Sequence, residues 1–250
     1  MAKLFLNTWI FEDVVKQGTH QDALVAVAHE LGADGLEVRR EYFNDLETEL
    51  KLVHDAAVKD HIALALSIPD ELFVNGKINP KLPQYITELK TLGAQKAKFN
   101  VGDFANFKGD LKAAFADWPS DITINIENDQ TVLSGHLEPI KAFLEAAHDA
   151  GLHIGYVYDL GNWAFTEGDA IKSAMQLAPY TDYVHFKNAD QTTDGVIVTQ
   201  DLDEGVFDWH YIYGLFKNDV DVALEFPMTS NTQITEQIAK LRLAMEARKS

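Results

Sequence analysis

The chain has 250 residues, of which 46% are hydrophobic, enough for one large domain with a sizeable core. Its formal net charge of -18 argues against nucleic acid and anionic membrane as partners, and the absence of cysteine excludes disulfides and thiolate metal sites. Because the N-terminal residues MAKLFLNTW lack the features of a signal peptide and no apolar run approaches the roughly 18 residues of a membrane span, we expect a cytoplasmic protein.

Eight short apolar runs alternate with helix-like segments along the whole chain. The runs span residues 3–9, 34–40, 61–67, 96–100, 121–127, 153–159, 182–187 and 221–226. The distance from one run to the next is that of one βα unit. Eight such units predict a single-domain (β/α)8 TIM barrel over residues 1–250. A doubly wound sheet is the alternative, although neither a GxGxxG nor a Walker motif follows any of the runs.

Capping residues mark several of the helices between these runs. Thr19 and Gly32 bracket the first predicted helix, and Asn79 and Gly93 bracket another. The long polar stretch at 188–209, after the seventh run, is a candidate loop over the mouth of the barrel.

Alternation along the runs separates an apolar set of side chains from a polar set. In DITINIE, three isoleucines share one face, and Thr123, Asn125 and Glu127 share the other. Because barrel strands offer apolar side chains to the outer helices, the polar set is expected to point into the barrel. The inward set is Asn7, Trp9, Glu37, Arg39, Ser67, Lys98, Asn100, Glu127, Asp159, His185, Lys187 and Glu225. Buried polar groups need partners or water, so this set predicts a polar, water-accessible pocket at the C-terminal mouth.

Four of these residues form a candidate metal site at the ends of four runs: Glu127, Asp159, His185 and Glu225. Carboxylates with one imidazole suit a single divalent ion, with Mn2+ or Mg2+ favoured and Co2+ or Zn2+ as further candidates. A metal bound by adjacent sugar oxygens polarises the carbonyl and acidifies the neighbouring C–H. Glu127 and Glu225, far apart around the ring, are the candidate catalytic base and acid. Any one of the four alone is more often a structural residue, so the hypothesis rests on their occurring together.

Other polar residues at the same mouth are candidates for binding substrate. Arg39 and Lys187 suit a substrate phosphate or carboxylate, with ion pairs to neighbouring carboxylates as the alternative. The remaining candidates are Asn7, Asn100, Asn162 and Glu204. The Arg39–Arg40 pair favours an anionic ligand.

Two further expectations concern the surroundings of the pocket. Lys98 lies one layer deeper and is expected to neutralise Glu37. Trp9, Trp163 and Phe104 follow strands and are candidates for an apolar wall against a sugar, with ordinary core packing as the alternative.

Six segments, in their order and spacing, resemble motifs of the sugar-phosphate isomerase/epimerase family of xylose-isomerase-like barrels. This family includes keto-sugar 3-epimerases and, more distantly, endonuclease IV. The segments are GADGLEVRREYF, NIEND, YVYDLGNW, VHFKNAD, LDEGVFDW and VALEFP. The resemblance implies that Glu127, Asp159, His185 and Glu225 bind the metal, and that Glu127 and Glu225 also transfer protons.

The chain departs from the family pattern at two positions. Asn162 stands where many relatives have His, and Asn188 stands where many epimerases have an acidic residue. The scarcity of further histidines argues against the multi-metal nuclease chemistry of endonuclease IV.

The resemblance implies a divalent-metal-dependent isomerase or epimerase of carbohydrate metabolism. Its substrate would be a small ketose, sugar phosphate or sugar acid, from which a proton is abstracted next to a metal-polarised carbonyl. One alternative is a metal-dependent dehydratase of a keto-cyclitol or dehydroshikimate-like acid, and another is a non-catalytic sugar-binding barrel. Whether the chain forms a homo-oligomer stays open.

Overall fold

The computed structural model describes residues 2–249, so Met1 and Ser250 of the predicted domain lie outside the described residues. The strands are β1 (Leu4–Asn7), β2 (Gly35–Arg39), β3 (Ala63–Val74), β4 (Lys77–Ile78), β5 (Lys96–Gly102), β6 (Thr123–Glu127), β7 (Ile154–Asp159), β8 (Thr181–Phe186), β9 (Ala189–Thr192), β10 (Gly195–Val198) and β11 (Asp221–Leu224). The α-helices are α1 (Glu12–Lys16), α2 (Gln21–Glu30), α3 (Leu46–Asp60), α4 (Leu82–Leu92), α5 (Leu111–Ala114), α6 (Leu137–Asp149), α7 (Asn162–Phe165), α8 (Ala170–Leu177), α9 (Trp209–Tyr213) and α10 (Asn231–Ala247). Within this part of the chain, none of the helices combines the length and the apolar character needed to cross a membrane.

Eight of the strands form a closed parallel barrel. Its order is β1, β2, β3, β5, β6, β7, β8 and β11, and β11 pairs with β1 to complete the ring. The predicted (β/α)8 barrel is therefore confirmed. The doubly wound alternative is wrong, because β2 pairs with both β1 and β3 and the ring has no open edge.

Each of the eight predicted runs overlaps one barrel strand, and β3 continues furthest beyond its predicted end. Its outer half pairs antiparallel with β4 through a turn at Asn75 and Gly76, whose φ angles are 51° and 67°. An Asn-Gly pair suits a two-residue hairpin that needs positive φ at both positions. The turn places a hairpin outside the barrel, beside the carboxyl ends of the strands.

The stretch predicted as a loop at 188–209 is more ordered than expected. It contains the antiparallel hairpin of β9 and β10. Asn188 fixes the base of this excursion, because its Nδ2 donates to the carbonyls of Leu202 and Phe207 and its Oδ1 accepts from the amide of Ala189. Asn188 therefore organises the backbone of this segment.

A small apolar cluster fills the barrel below the mouth. It consists of Phe5, Ala65, Val157, Tyr183 and Ala223. Phe5 and Tyr183 meet edge to face with ring centroids 5.5 Å apart. A side chain at residue 35 would collide with the ring of Phe5, so glycine is required there. This cluster is the floor on which the polar residues of the mouth lie.

We expect Phe5→Ala to destabilise the fold by about 3–5 kcal/mol, because it opens a cavity in this floor. Denaturant unfolding of the variant measures the loss. Leu243→Ala is the control, since Leu243 is 70% exposed on α10 and its truncation should change the stability by less than about 0.5 kcal/mol. Equal losses in the two variants would contradict a close-packed floor.

Candidate active site

The four predicted metal-binding residues meet inside the mouth of the barrel. Glu127 ends β6, Asp159 ends β7, His185 lies near the end of β8, and Glu225 follows β11. All four are buried, and each offers one ligand atom so that these atoms lie within 4.8 Å of one another. We call these four residues the quartet. Their convergence follows from the parallel strands, whose carboxyl ends open at the same face of a barrel.

His185 connects two of the carboxylates. Its Nδ1 lies 2.7 Å from Oε1 of Glu127 and 2.9 Å from Oε2 of Glu225. Its Nε2 lies 2.9 Å from Oε2 of Glu37, which also accepts a hydrogen bond of 2.7 Å from the hydroxyl of Tyr183. A His185 that donates its Nε2 hydrogen to Glu37 presents the lone pair of Nδ1 to the quartet, the arrangement typical of a metal-binding histidine.

The outer oxygen of each quartet carboxylate is held by the protein. Oε2 of Glu127 accepts from Lys98 at 2.6 Å, and Oδ1 of Asp159 accepts from the amide of Asn162 at 3.0 Å. Oε1 of Glu225 accepts from Asn7 at 3.0 Å and from Arg39 at 3.1 Å. The second oxygen of each carboxylate therefore remains turned towards the centre of the quartet.

Two of these inner oxygens lack a well-directed hydrogen bond, which is the observation that fits a metal ion. Oε1 of Glu127 and Oδ2 of Asp159 are fully buried and receive no hydrogen bond of good geometry, although Nδ1 of His185 and Nζ of Lys187 lie 2.7 and 2.6 Å away. Coordination of a divalent cation would give these buried oxygens a better-directed partner. Three carboxylates and one imidazole nitrogen also match the ligands of a hard or borderline divalent ion.

Lys98 corrects one sequence-based expectation. It was expected to neutralise Glu37, but its ammonium group contacts Glu127. Glu37 instead receives hydrogen bonds from Tyr183 and Asn7 and contacts His185. The side chain of Lys98 is long enough to rise from a deeper layer to the level of the quartet.

Lys187 and Arg39 form ion pairs within the pocket, the alternative that the sequence left open. Nζ of Lys187 lies 2.6 Å from Oδ2 of Asp159 and 3.6 Å from Oε2 of Glu225. Nε of Arg39 lies 2.7 Å from Glu41, in addition to its contact with Glu225. Lys187 also lies 5.3 Å from the ring centroid of Trp9, as a cation–π contact requires.

Arg40 does not share the site with Arg39. Its guanidinium donates two hydrogen bonds to Glu88, of 2.7 and 2.8 Å, and lies over the ring of Tyr85. Successive residues leaving a strand point to opposite sides, so Arg40 faces the outer helices. The pair therefore gives no support for an anionic ligand.

Burial and neighbouring charges shift the titration of the quartet in opposite directions. Burial raises the pKa of Asp159 to about 7, and this rise is opposed by Lys187. Burial would also raise the pKa of Glu225, but His185 and Lys187 outweigh it and hold the pKa well below its usual value. Burial lowers the pKa of His185, yet the surrounding carboxylates, with Glu37 first, raise it well above its usual range. Asp159 and Glu225 thus differ in their affinity for a proton.

A pocket of about 280 Å³ opens directly above the quartet. Among the candidate substrate-binding residues, Arg39, Asn100, Asn162 and Lys187 line it. Asn7 lies behind the quartet, where it donates to Glu37 and Glu225. Glu204 is exposed and lines a separate surface cavity beside the β9–β10 hairpin, so the structure does not bring it to the pocket.

Of the three aromatic residues predicted to form a wall of the pocket, Trp9 alone lines it. Trp163 is buried in the core against Tyr158, and Phe104 packs with Phe73 and Phe143. Core packing, the alternative for these two residues, is therefore what the structure shows.

The loop after β6 supplies site residues that the sequence reasoning did not single out. Asp129 and Gln130 line the pocket, and Gln130 donates to Asn162. Asn128 is fully buried and joins the ends of β6 and β7: its side chain bonds both the amide and the carbonyl of Asp159, and it accepts from Tyr156. The polar run NDQ directly after Glu127 is the signal in the sequence that points to these residues.

Comparison with known proteins identifies the fold. No family model matches the chain, and no curated protein matches it in sequence. The solved structures similar to it include the probable 3-DHS dehydratase AsbF of petrobactin synthesis from Bacillus anthracis, with a TM-score of 0.73, 16% identity, and coverage of 96% of this chain and 98% of that one. An L-ribulose 3-epimerase has a TM-score of 0.70 and 15% identity, and covers 100% of this chain and 96% of its own.

A third similar structure is the IOLI protein with a bound zinc atom, with a TM-score of 0.65, 15% identity, and coverage of 98% of this chain and 97% of that one. These structural neighbours are xylose-isomerase-like sugar epimerases and isomerases together with a dehydratase, in agreement with the resemblance of the sequence motifs. At such low identities the similarity establishes a shared fold.

We expect Asn128→Ala to destabilise the protein by about 2–4 kcal/mol, because it leaves several buried polar groups around Asp159 without partners. Tyr156→Phe is the matched control, since it removes a single hydrogen bond to Asn128 and should remove only about 1 kcal/mol. Chemical denaturation of both variants measures the difference. Similar losses would show that the contacts of Asn128 with Asp159 contribute little.

Proposed function

We propose that this protein is a divalent-metal-dependent isomerase or epimerase of a small sugar or sugar derivative. The observation that supports it most directly is the quartet, whose inner oxygens converge under a polar pocket while their outer oxygens are held by the barrel. In a cluster that is only structural, buried carboxylate oxygens normally accept well-directed hydrogen bonds, and Oε1 of Glu127 and Oδ2 of Asp159 do not.

The structural neighbours support the same class of reaction. They include an L-ribulose 3-epimerase, a 3-keto-D-glucoside 4-epimerase from E. coli and D-allulose 3-epimerase from Methylomonas sp. in complex with D-allulose. The IOLI protein, which has the same fold, binds a zinc atom, and this supports a metal ion in the present protein. These neighbours favour the interpretation that the protein is an enzyme that acts on sugars.

In the proposed reaction, Glu127 and Glu225 remove and return the proton of the carbon next to the carbonyl. A divalent ion held by the quartet would polarise that carbonyl and make the neighbouring C–H more acidic. Lys98 holds Glu127 by its outer oxygen, so the inner oxygen keeps a fixed direction. Asn7 and Arg39 do the same for Glu225. A positioned carboxylate of this kind contributes about 10²–10⁴-fold to a proton transfer.

The pocket suits a small polar substrate. Its volume of about 280 Å³ lies just below the range of about 300–1,000 Å³ that is usual for ligand pockets. Asn100, Gln130 and Asn162 line it with amide groups for hydroxyls, and Trp9 offers an aromatic face for the C–H side of a sugar ring. A single five- or six-carbon sugar is the size of ligand we expect.

Incubation of the Mn2+- or Mg2+-loaded protein with a panel of ketoses, sugar acids and sugar phosphates in D2O tests this proposal. We expect at least one compound to be converted to an isomer that carries deuterium next to the carbonyl, detected by mass spectrometry after chromatography. Chelation of the metal should abolish the conversion. A product lighter by one water would indicate a dehydratase instead, and a protein that binds no divalent ion would contradict both readings.

We expect Glu225→Gln to lower kcat by at least about 10²-fold while the fold is retained, because the variant cannot accept a proton. The bound metal is measured in parallel, so that loss of the ion is separated from loss of the proton-transferring group. Glu204→Gln is the control: Glu204 is an exposed carboxylate of the hairpin region, and its variant should retain full turnover. Retained activity in Glu225→Gln would rule out its proposed role.

A further inference from the structure

Lys187 holds a different position from the other cations of the site. Lys98 and Arg39 contact the outer oxygens of Glu127 and Glu225. Nζ of Lys187 instead lies 2.6 Å from Oδ2 of Asp159, an inner oxygen. Among the lysines and arginines of residues 2–249 whose ion pairs are described, Lys187 alone intrudes on the side of the quartet that a metal ion would occupy.

A divalent ion and the ammonium group of Lys187 would therefore compete for the same oxygen. Two cations a few ångströms apart in a buried site repel strongly, so both cannot remain beside Asp159. The contact with Asp159 is the shorter of the two ion pairs that Lys187 makes within the quartet. Nζ lies 3.6 Å from Oε2 of Glu225, and that ion pair is correspondingly weak.

The surroundings of Lys187 leave it a place to move. Its side chain lines the pocket, and its ammonium already lies near the face of Trp9. Gly161 packs against its aliphatic stem, where a Cβ would approach Cγ of Lys187 to 2.7 Å. The absence of a side chain at residue 161 therefore leaves room for the stem, and the pocket that Lys187 lines leaves room for its ammonium group to move away from Asp159.

The charges of the site indicate what the released ammonium would bind. Four buried carboxylates, those of Glu37 and the quartet, are accompanied by Arg39, Lys98 and Lys187. Arg39 also pairs with Glu41, and Asp129 adds a further carboxylate to the wall of the pocket. With this much negative charge at the mouth, a singly charged substrate carboxylate suits the released ammonium better than a phosphate dianion.

We propose that Lys187 is an exchangeable counter-ion: a divalent ion at the quartet displaces its ammonium group from Asp159, and the released ammonium binds the carboxylate of a sugar acid. This inference rests on the proposed metal site and adds the class of substrate. In this proposal Lys187 weakens metal binding and strengthens binding of the acid. Its removal should therefore have opposite effects on the two affinities.

Metal binding without substrate is the first test. Lys187→Met should bind Mn2+ at least about tenfold more tightly than the wild type in calorimetry, because the competing cation is gone. The rise in melting temperature on adding Mn2+ should also be larger. Lys240→Met is the matched control, since Lys240 pairs with Asp201 and Asp203 away from the pocket, and it should match the wild type.

Equal or weaker Mn2+ binding by Lys187→Met would overturn the counter-ion role while leaving the metal site itself intact. Failure of both wild type and Lys187→Met to bind Mn2+ would instead contradict the proposed function and this inference together. If the variant does not fold, amine labelling of the wild type, followed by peptide mass spectrometry, tests whether Lys187 is released. Labelling of Lys187 should increase when Mn2+ is added, and unchanged labelling would count against its release.

Gluconate and sorbitol, which differ by a carboxylate, are the probes for the second role. Mn2+-loaded wild type should bind gluconate at least about tenfold more tightly than sorbitol, and Lys187→Met should lose most of this preference. A preference that survives in Lys187→Met would come from the metal alone and would overturn the carboxylate-binding role. Equal binding of the two probes by the wild type would overturn it as well, without touching the proposed isomerase chemistry.

Discussion

The burial of four carboxylates in one barrel mouth is the constraint on which the rest of the structure depends. Glu37, Asp159, Glu225 and Glu127 are at most 5% exposed. Such groups are tolerated inside a protein only when cations and hydrogen-bond donors surround them. The closed barrel meets this need because it brings Lys, Arg, His and Asn side chains from different strands to the same level. Removing any one partner would leave a buried charge without compensation.

The arrangement of these partners distinguishes a site from a structural ion-pair network. In a network that served stability alone, both oxygens of each carboxylate would accept well-directed hydrogen bonds. Here the barrel holds the outer oxygens of Glu127, Asp159 and Glu225, whereas the inner oxygens of Glu127 and Asp159 have ion-pair contacts with His185 and Lys187 but no hydrogen bond of good geometry. The apolar floor contributes through Tyr183, whose hydroxyl fixes Glu37 behind His185. Stability and preorganisation are thus supplied by the same contacts.

The sequence predicted the barrel and the convergence of the quartet well, because both follow from periodicity and from the common direction of parallel strands. It did not predict the partners of individual charges. Lys98 pairs in register with Asn125 of β6, yet its ammonium reaches Glu127 two residues further on, and strand alternation carries no information about such reach. Arg40 was misassigned because its neighbour Arg39 faces the pocket, although alternation itself turns Arg40 outward.

Loop residues were the hardest to foresee, since their roles depend on contacts between distant segments. Asn188 and Asn162, the two positions at which the sequence departs from the motifs it resembles, both use their polar groups to hold backbone. Asn188 is buried, and an acidic residue in its place would add a fifth carboxylate to a mouth that already contains four. The neutral amide at residue 188 therefore follows the same constraint as the quartet, because it adds no further charge for Arg39, Lys98 and Lys187 to balance.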